Sequence, residues 1–160
     1  MPAVVAMVHE LAGFEGEPQA CRLTDEDLRA ALFAEQPALF GHVAVDPDTD
    51  AAVGFVLWFR NYSTWEGRHG VYVEDLYVRP AARGSGAGRD LLATLARICL
   101  DRGYPRLEWW VLDADQLAGS RAFYRRIGGV ELREWVPWRV AGASLQELAG
   151  GAEAADVAAV

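Results

Sequence analysis

No uninterrupted apolar run in this sequence approaches the length needed to cross a bilayer, and no signal-peptide pattern opens it. Those absences point away from a membrane protein and set the expectation of a cytoplasmic one. Cysteine is nearly missing: Cys21 and Cys99 form neither a disulfide framework nor a metal-ligand spacing. The three histidines, His9, His42 and His69, are scattered, with no carboxylate or cysteine at ligand distance in sequence, so no metal is expected. A surplus of basic residues is missing as well. The net charge of −8 argues against nucleic acid as a primary partner and suits cationic small molecules, although solubility accounts for it equally well.

What is present is a globular composition, 52% hydrophobic over 160 residues, enough for one domain with a core. Ala3 to Phe14 carries a helical apolar period. Thr24 is placed to cap a second helix, with Asp27 three residues on in capping-box fashion, and that helix runs to about Phe33. Phe40 to Val45 and Ala52 to Phe59 read as strands around Asp46-Pro47-Asp48. Asn61 to Gly70 reads as a loop, Val71 to Val78 as the central strand and Arg89 to Arg102 as a helix stopped by Gly103. Leu107 to Leu112 and Val130 to Val140 read as strands, and Gly119 to Ile127 and Ser144 to Leu148 as short helices. The Gly/Ala-rich residues 149–160 are expected to be a disordered tail after a domain spanning 1–148. The pattern is α/β without an internal repeat.

The most informative stretch is Val71 to Gly88. An apolar-rich run carrying Glu74 and Asp75 meets Arg79-Pro80, then Gly84, Gly86 and Gly88 at alternate positions, then a helix. A helix N-terminus offers unpaired N–H groups and partial positive charge, and glycine lets a ligand approach the backbone closely. The cradle therefore suits a pyrophosphate, with a ligand-free glycine turn as the plainer alternative. A Walker loop would need Lys and Ser/Thr after Gly88, where Arg89 and Asp90 stand. A dinucleotide fingerprint would need glycine at position 89. Both fail.

Arg83-Gly84-Ser85-Gly86-Ala87-Gly88 resembles the Arg/Gln-x-x-Gly-x-Gly/Ala signature of the GNAT superfamily of N-acetyltransferases. The resemblance extends from Val8-His9-Glu10-Leu11-Ala12 to Leu148, through Leu23 to Leu28, Val53-Gly54-Phe55, Tyr62 to Arg68, Glu74 to Val78, Val111-Leu112-Asp113 and Phe123 to Gly128. In detail it is to the diamine (spermidine/spermine) acetyltransferase-like branch. It implies a mixed central sheet flanked by helices, acetyl-CoA as co-substrate, a small-molecule amine as acceptor, direct attack without an acyl-enzyme, and a homodimer. Relatives begin with a strand before the first helix, whereas Met1-Pro2-Ala3-Val4-Val5 reads as already helical. The usual first strand is thus expected to be missing, leaving a bare sheet edge.

By the same resemblance, residues 83–89 (Arg83, Gly84, Ser85, Gly86, Ala87, Gly88 and Arg89) hold the diphosphate. Leu76, Tyr77 and Val78 follow the pantetheine arm, and the Leu76 N–H serves the oxyanion. Ser120 matches a coenzyme-contacting position, with helix capping as its alternative. Adjacent strand residues point to opposite faces, so only one of Glu74 and Asp75 should reach the pocket; the resemblance selects Glu74 as the carboxylate that meets the amine, with a solvent-facing strand carboxylate as its alternative. Tyr124 is the candidate acid: a phenol is protonated at neutral pH and can hydrogen-bond a departing thiolate. Glu15, Trp65 and Glu108 match substrate-side positions, with ordinary surface or packing roles as their alternative.

Two departures bear on specificity. Trp135 and Val136 stand where the polyamine enzymes carry acidic residues, favouring a shorter or more apolar amine than spermine. Ala114-Asp115 stands where many relatives have Trp-Asn, and an aspartate there would lose an amide donor and add negative charge. A catalytically silent acyl-CoA-binding module and a protein or peptide N-acetyltransferase are the alternative functions.

Overall fold

The computed structural model describes residues 1–150, in two compact units divided after Ile127. In the first unit a four-stranded sheet runs in the order β1 (Phe40–Val45), β2 (Ala52–Ser63), β3 (Arg68–Val78) and β4 (Leu107–Glu108). The first three strands are antiparallel and β4 lies parallel to β3. Helices α1 (Pro2–Phe14) and α2 (Asp25–Leu32) cover one face, and α3 (Ala87–Arg102) covers the other.

Strand periodicity builds both cores. Phe55 and Leu57 of β2 point toward α1 and α2, where they meet Val4, Met7 and Leu28. Val56 and Trp58 point the other way, with Val71 and Val73 of β3, onto Leu91, Leu92, Leu95 and Cys99 of α3. Local signals set the helix ends. Thr24 and Asp27 form the expected capping box, with the Asp27 N–H donating to Thr24 Oγ1 at 3.1 Å. Gly103 closes α3 in the left-handed region at φ 64°.

Irregular pairing in β3 positions the site. Leu57 pairs with Asp75 but Trp58 pairs with Val73, so Glu74 is an extra residue in a β-bulge. The bulge switches the strand's parity: Val71 and Val73 pack on the α3 side before it, Leu76 and Val78 after it. On its other flank β3 pairs with β4 only at Val71 and Tyr72. Beyond those two pairs the strands part.

Several sequence expectations are corrected. The loop expected over Asn61 to Gly70 is largely strand, because β2 and β3 extend to Ser63 and back from Arg68 as one long hairpin. Of Leu107 to Leu112 only two residues pair. In the second unit Val130 to Val140 forms no strand among the described residues. Its helix, α5 (Ala143–Gly150), takes in Ala149 and Gly150 of the supposed tail, and residues 151–160 lie outside the described residues. Helix α1 does start at once, with Pro2 at its first position, and the outer edge of β1 is unpaired among the described residues.

Candidate active site

The parting of β3 from β4 opens a cavity of about 630 Å³. Its walls are the C-terminal half of β3, the end of α1, the glycine loop, the segment after β4 and helix α4 (Ala118–Arg126). At its glycine-loop end the chain turns through Pro80–Ala82 and passes Gly84 at φ 83° and Gly86 at φ 99°, conformations that suit glycine. Helix α3 then begins at Ala87. Among the described residues the N–H groups of Gly84, Gly86, Gly88 and Arg89 have no acceptor. A 16-residue helix adds its partial positive charge at the same point. These groups fit a diphosphate.

Arg83 and Ser85 shape the loop. The Arg83 Nε donates to Val78 O at 3.1 Å, and its guanidinium lies 4.6 Å over the Phe14 ring and 5.9 Å from that of Tyr77. Ser85 Oγ donates to Ala82 O at 2.8 Å and does not line the cavity. Its hydroxyl holds the turn.

The strand edge supplies main-chain groups. Arg79 N–H donates to Val53 O on the β2 side, so alternation turns the main chain of Leu76 and Val78 toward the open seam. No strand pairs with them there among the described residues. An extended chain carrying amides could lie along this edge, and the Leu76 N–H is free to receive developing negative charge.

The acid–base groups converge from three elements: Glu15 caps the C-terminus of α1, Glu74 and Asp75 come from the β3 bulge, and Tyr124 comes from α4. All four line the cavity. Asp75 is half-buried, and its carboxyl is pushed up to about 6 by burial, then by the charges of Glu74 and Glu15. Burial also raises Glu15. The Tyr124 phenol is pushed up to about 12 by burial and by Glu15, with its ring 4.9 Å from Trp109 and 5.3 Å from Phe123. A phenol so shifted stays protonated at neutral pH and is available to donate a hydrogen bond.

Most sequence-predicted residues come together here: Glu15, Glu74, Leu76, Tyr77, Val78, Arg83, Gly84, Gly86, Ala87, Gly88, Arg89, Ser120 and Tyr124. Ser120 lies within the first turn of α4 while Leu117 is the cap residue, so capping does not explain it. Glu108 and Trp65 are not brought to the cavity. Glu108 accepts from Asn61 Nδ2 at 2.7 Å and Arg106 Nε at 2.8 Å, in a cluster that fastens the long hairpin to β4. Trp65 is at the hairpin turn, 88% exposed. Sequence reasoning passed over Asp75 by assuming a regular pleat. Two acidic residues in an otherwise apolar central strand were the available signal.

The acetyltransferase (GNAT) family model matches residues 6–129, which take in the whole cavity wall. The chain belongs to that family. This GNAT enzyme is 34% identical to the thialysine N-epsilon-acetyltransferase of Bos taurus over 158 residues, covering 92% of the chain and 90% of the relative. It is 36% identical to the L-ornithine N5-acetyltransferase NATA1 of Arabidopsis thaliana over 95 residues, 59% of the chain and 41% of that relative. Among solved structures, an integron cassette protein from the mobile metagenome of V. cholerae superposes with a TM-score of 0.74 at 27% identity, covering 92% and 90% of the two chains. The comparisons agree with the diamine acetyltransferase-like resemblance, and the GNAT chemistry is N-acetylation with acetyl-CoA as co-substrate.

Proposed function

We propose that this GNAT enzyme moves the acetyl group of acetyl-CoA directly to a primary amine on a small cationic molecule, with no acyl-enzyme. The observation that carries the reading is one cavity shared by the glycine cradle, the bulge carboxylates and the Tyr124 phenol. Main-chain N–H groups of Gly84, Gly86, Gly88 and Arg89, within the 83–89 loop, hold the diphosphate, and Leu76 to Val78 pair with the pantetheine arm. The ammonium enters beside Glu74. A primary amine with a pKa near ~10.4 needs roughly 4.6 kcal/mol to lose its proton at pH 7, so a carboxylate-lined cavity is a suitable place to bind and deprotonate it. As the C–S bond breaks, the Leu76 N–H stabilises the carbonyl oxygen and the Tyr124 hydroxyl hydrogen-bonds the departing sulfur.

Thialysine and ornithine, named for the relatives' activities, both end in a side-chain amine, which supports an amino-acid-like or diamine acceptor here. Asp115, the departure that raised a silent binding module, is exposed and does not line the cavity. A homodimer is supported by exposed Val136, Trp138, Val140 and Leu148 in the second unit. Free thiols at Cys21 and Cys99 support a reducing, cytoplasmic setting, and the acidic net charge supports small cations over nucleic acid. No metal enters this scheme.

Free-thiol release from acetyl-CoA across thialysine, ornithine, putrescine, spermidine and a lysine peptide tests the reading. Small amines should release thiol faster than the peptide. Tyr124→Phe should lower kcat by roughly 100-fold while leaving coenzyme affinity unchanged. Coenzyme binding without thiol release for any amine would restore the silent module.

A further inference from the structure

Asp75 is the half-buried titratable group that the scheme above leaves without work. In a regular strand it would point away from the face that carries Glu74. The extra residue at Glu74 breaks that rule, and both carboxylates line the cavity. Asp75 is less exposed than Glu74, lies opposite Leu57 on β2 and feels the charge of Glu15 at the end of α1. Among the described residues it has neither an ion-pair partner nor a hydrogen-bond donor. The charged groups that share its cavity are Glu15 from α1, Glu74 from β3, Tyr124 from α4, and Arg83, Arg89 and Arg126 around the cradle and α4. Arg83 is committed to Val78 O and the Phe14 ring. A half-buried carboxylate held beside two others without a counter-ion has a strong demand for a proton.

We propose that Asp75 is a catalytic residue, the proton acceptor for the incoming ammonium, while Glu74 at the cavity surface captures and orients it. This assignment rests on the acetyltransferase function proposed above. One ammonium proton passes to the Asp75 carboxylate, and the freed nitrogen pair forms the N–C bond to the acetyl carbon. The C–S bond breaks with its electrons going to sulfur. The second nitrogen proton ends on that sulfur, beside the Tyr124 hydroxyl, and Asp75 returns its proton to solvent. The products are amide, thiol and one released proton.

The upward shift of Asp75 fits the task, because a carboxylate titrating near 6 is a better base than an ordinary one and is still ionised at pH 7. The test is the pH profile of kcat/KM with the amine giving fastest thiol release in the panel, for wild type, Asp75→Asn, Asp75→Glu and Glu74→Gln. Wild type should lose activity about tenfold per unit below a pH near 6. Asp75→Asn should lower kcat by roughly 100-fold and abolish that acidic limb, with KM for the amine changed less than about threefold. Asp75→Glu should recover the limb in part. Glu74→Gln should act mainly on KM and keep the limb.

Coenzyme affinity, measured on each variant, reports an intact fold. Wild-type turnover with full activity in Asp75→Asn, or loss of the acidic limb in Glu74→Gln alone, overturns this assignment and leaves the function standing. No thiol release by wild type for any amine overturns the function itself.

Discussion

Asp75 and Tyr124 show how one environment sets two protonation states. Burial and the charge of Glu15 raise both groups, keeping the phenol protonated across the physiological range and bringing the carboxyl close to its switching point. The Asp75 shift also has a cost in stability. Asp75 binds its proton more tightly folded than unfolded, so its contribution is greatest below its ordinary value of 3.8 and is lost as pH rises through about 6. Asp75→Asn removes that loss. Thermal unfolding at pH 7.5 should show the variant more stable than wild type by up to roughly 3 kcal/mol, with the difference vanishing near pH 4. Equal melting temperatures at pH 7.5 would mean that Asp75 is better solvated than its position implies. A variant steadier than wild type yet slower would place the residue among groups kept for chemistry.

Among the elements, the loop that leads into α3 depends on backbone conformation more than on side-chain space. A Cβ at Gly86 would meet nothing closer than Asp90 Oδ2 at 3.9 Å, but the φ of 99° strains any L-residue. Gly86→Ala should therefore weaken coenzyme binding by about tenfold, for a strain of roughly 1–2 kcal/mol. Gly13→Ala, in the last turn of α1 with open space around it, should instead stabilise the fold by up to about 0.5–1 kcal/mol and leave binding alone. Isothermal titration and melting curves on both variants separate conformation from bulk; equal binding by both would remove the loop from the site.

Gly86 and the Thr24 capping box were legible in the sequence because their chemistry is local. The bulge at Glu74 was not, since an extra residue in a strand exists only relative to a partner, here the Leu57-Trp58 step of β2. The end of β4 was hidden for the same reason: Leu107 to Leu112 has a strand's composition, but pairing with β3 stops after Glu108. Val130 to Val140 has that composition too and finds no partner strand among the described residues. Trp65 lies in the turn before β3, where its local sequence puts it, but whether that turn reaches the cavity depends on the length of the hairpin, which turn residues do not reveal.

For the whole molecule, charge is the long-range property that bears on function. A net charge of −8, with Glu15, Glu74 and Asp75 in the cavity, attracts cations from solution. KM for a doubly charged amine should rise roughly three- to tenfold between about 20 and 300 mM salt, and less for a singly charged one. A KM indifferent to salt for both would confine the acidic surface to a solubility role. All 15 basic residues are arginine. The enzyme therefore carries no lysine side chain of its own that its product chemistry could modify, and acetate recovered on this chain cannot be lysine-bound.

The two-pair contact between β3 and β4 has a last consequence. Where the sheet comes apart, the binding mode proposed above has the acyl carrier supply the hydrogen bonds that a neighbouring strand would otherwise make, so occupancy would complete the architecture as well as enable the reaction. Starvation for acetyl-CoA would then leave the enzyme idle and also less firmly knit, tying its lifetime to the abundance of its own fuel.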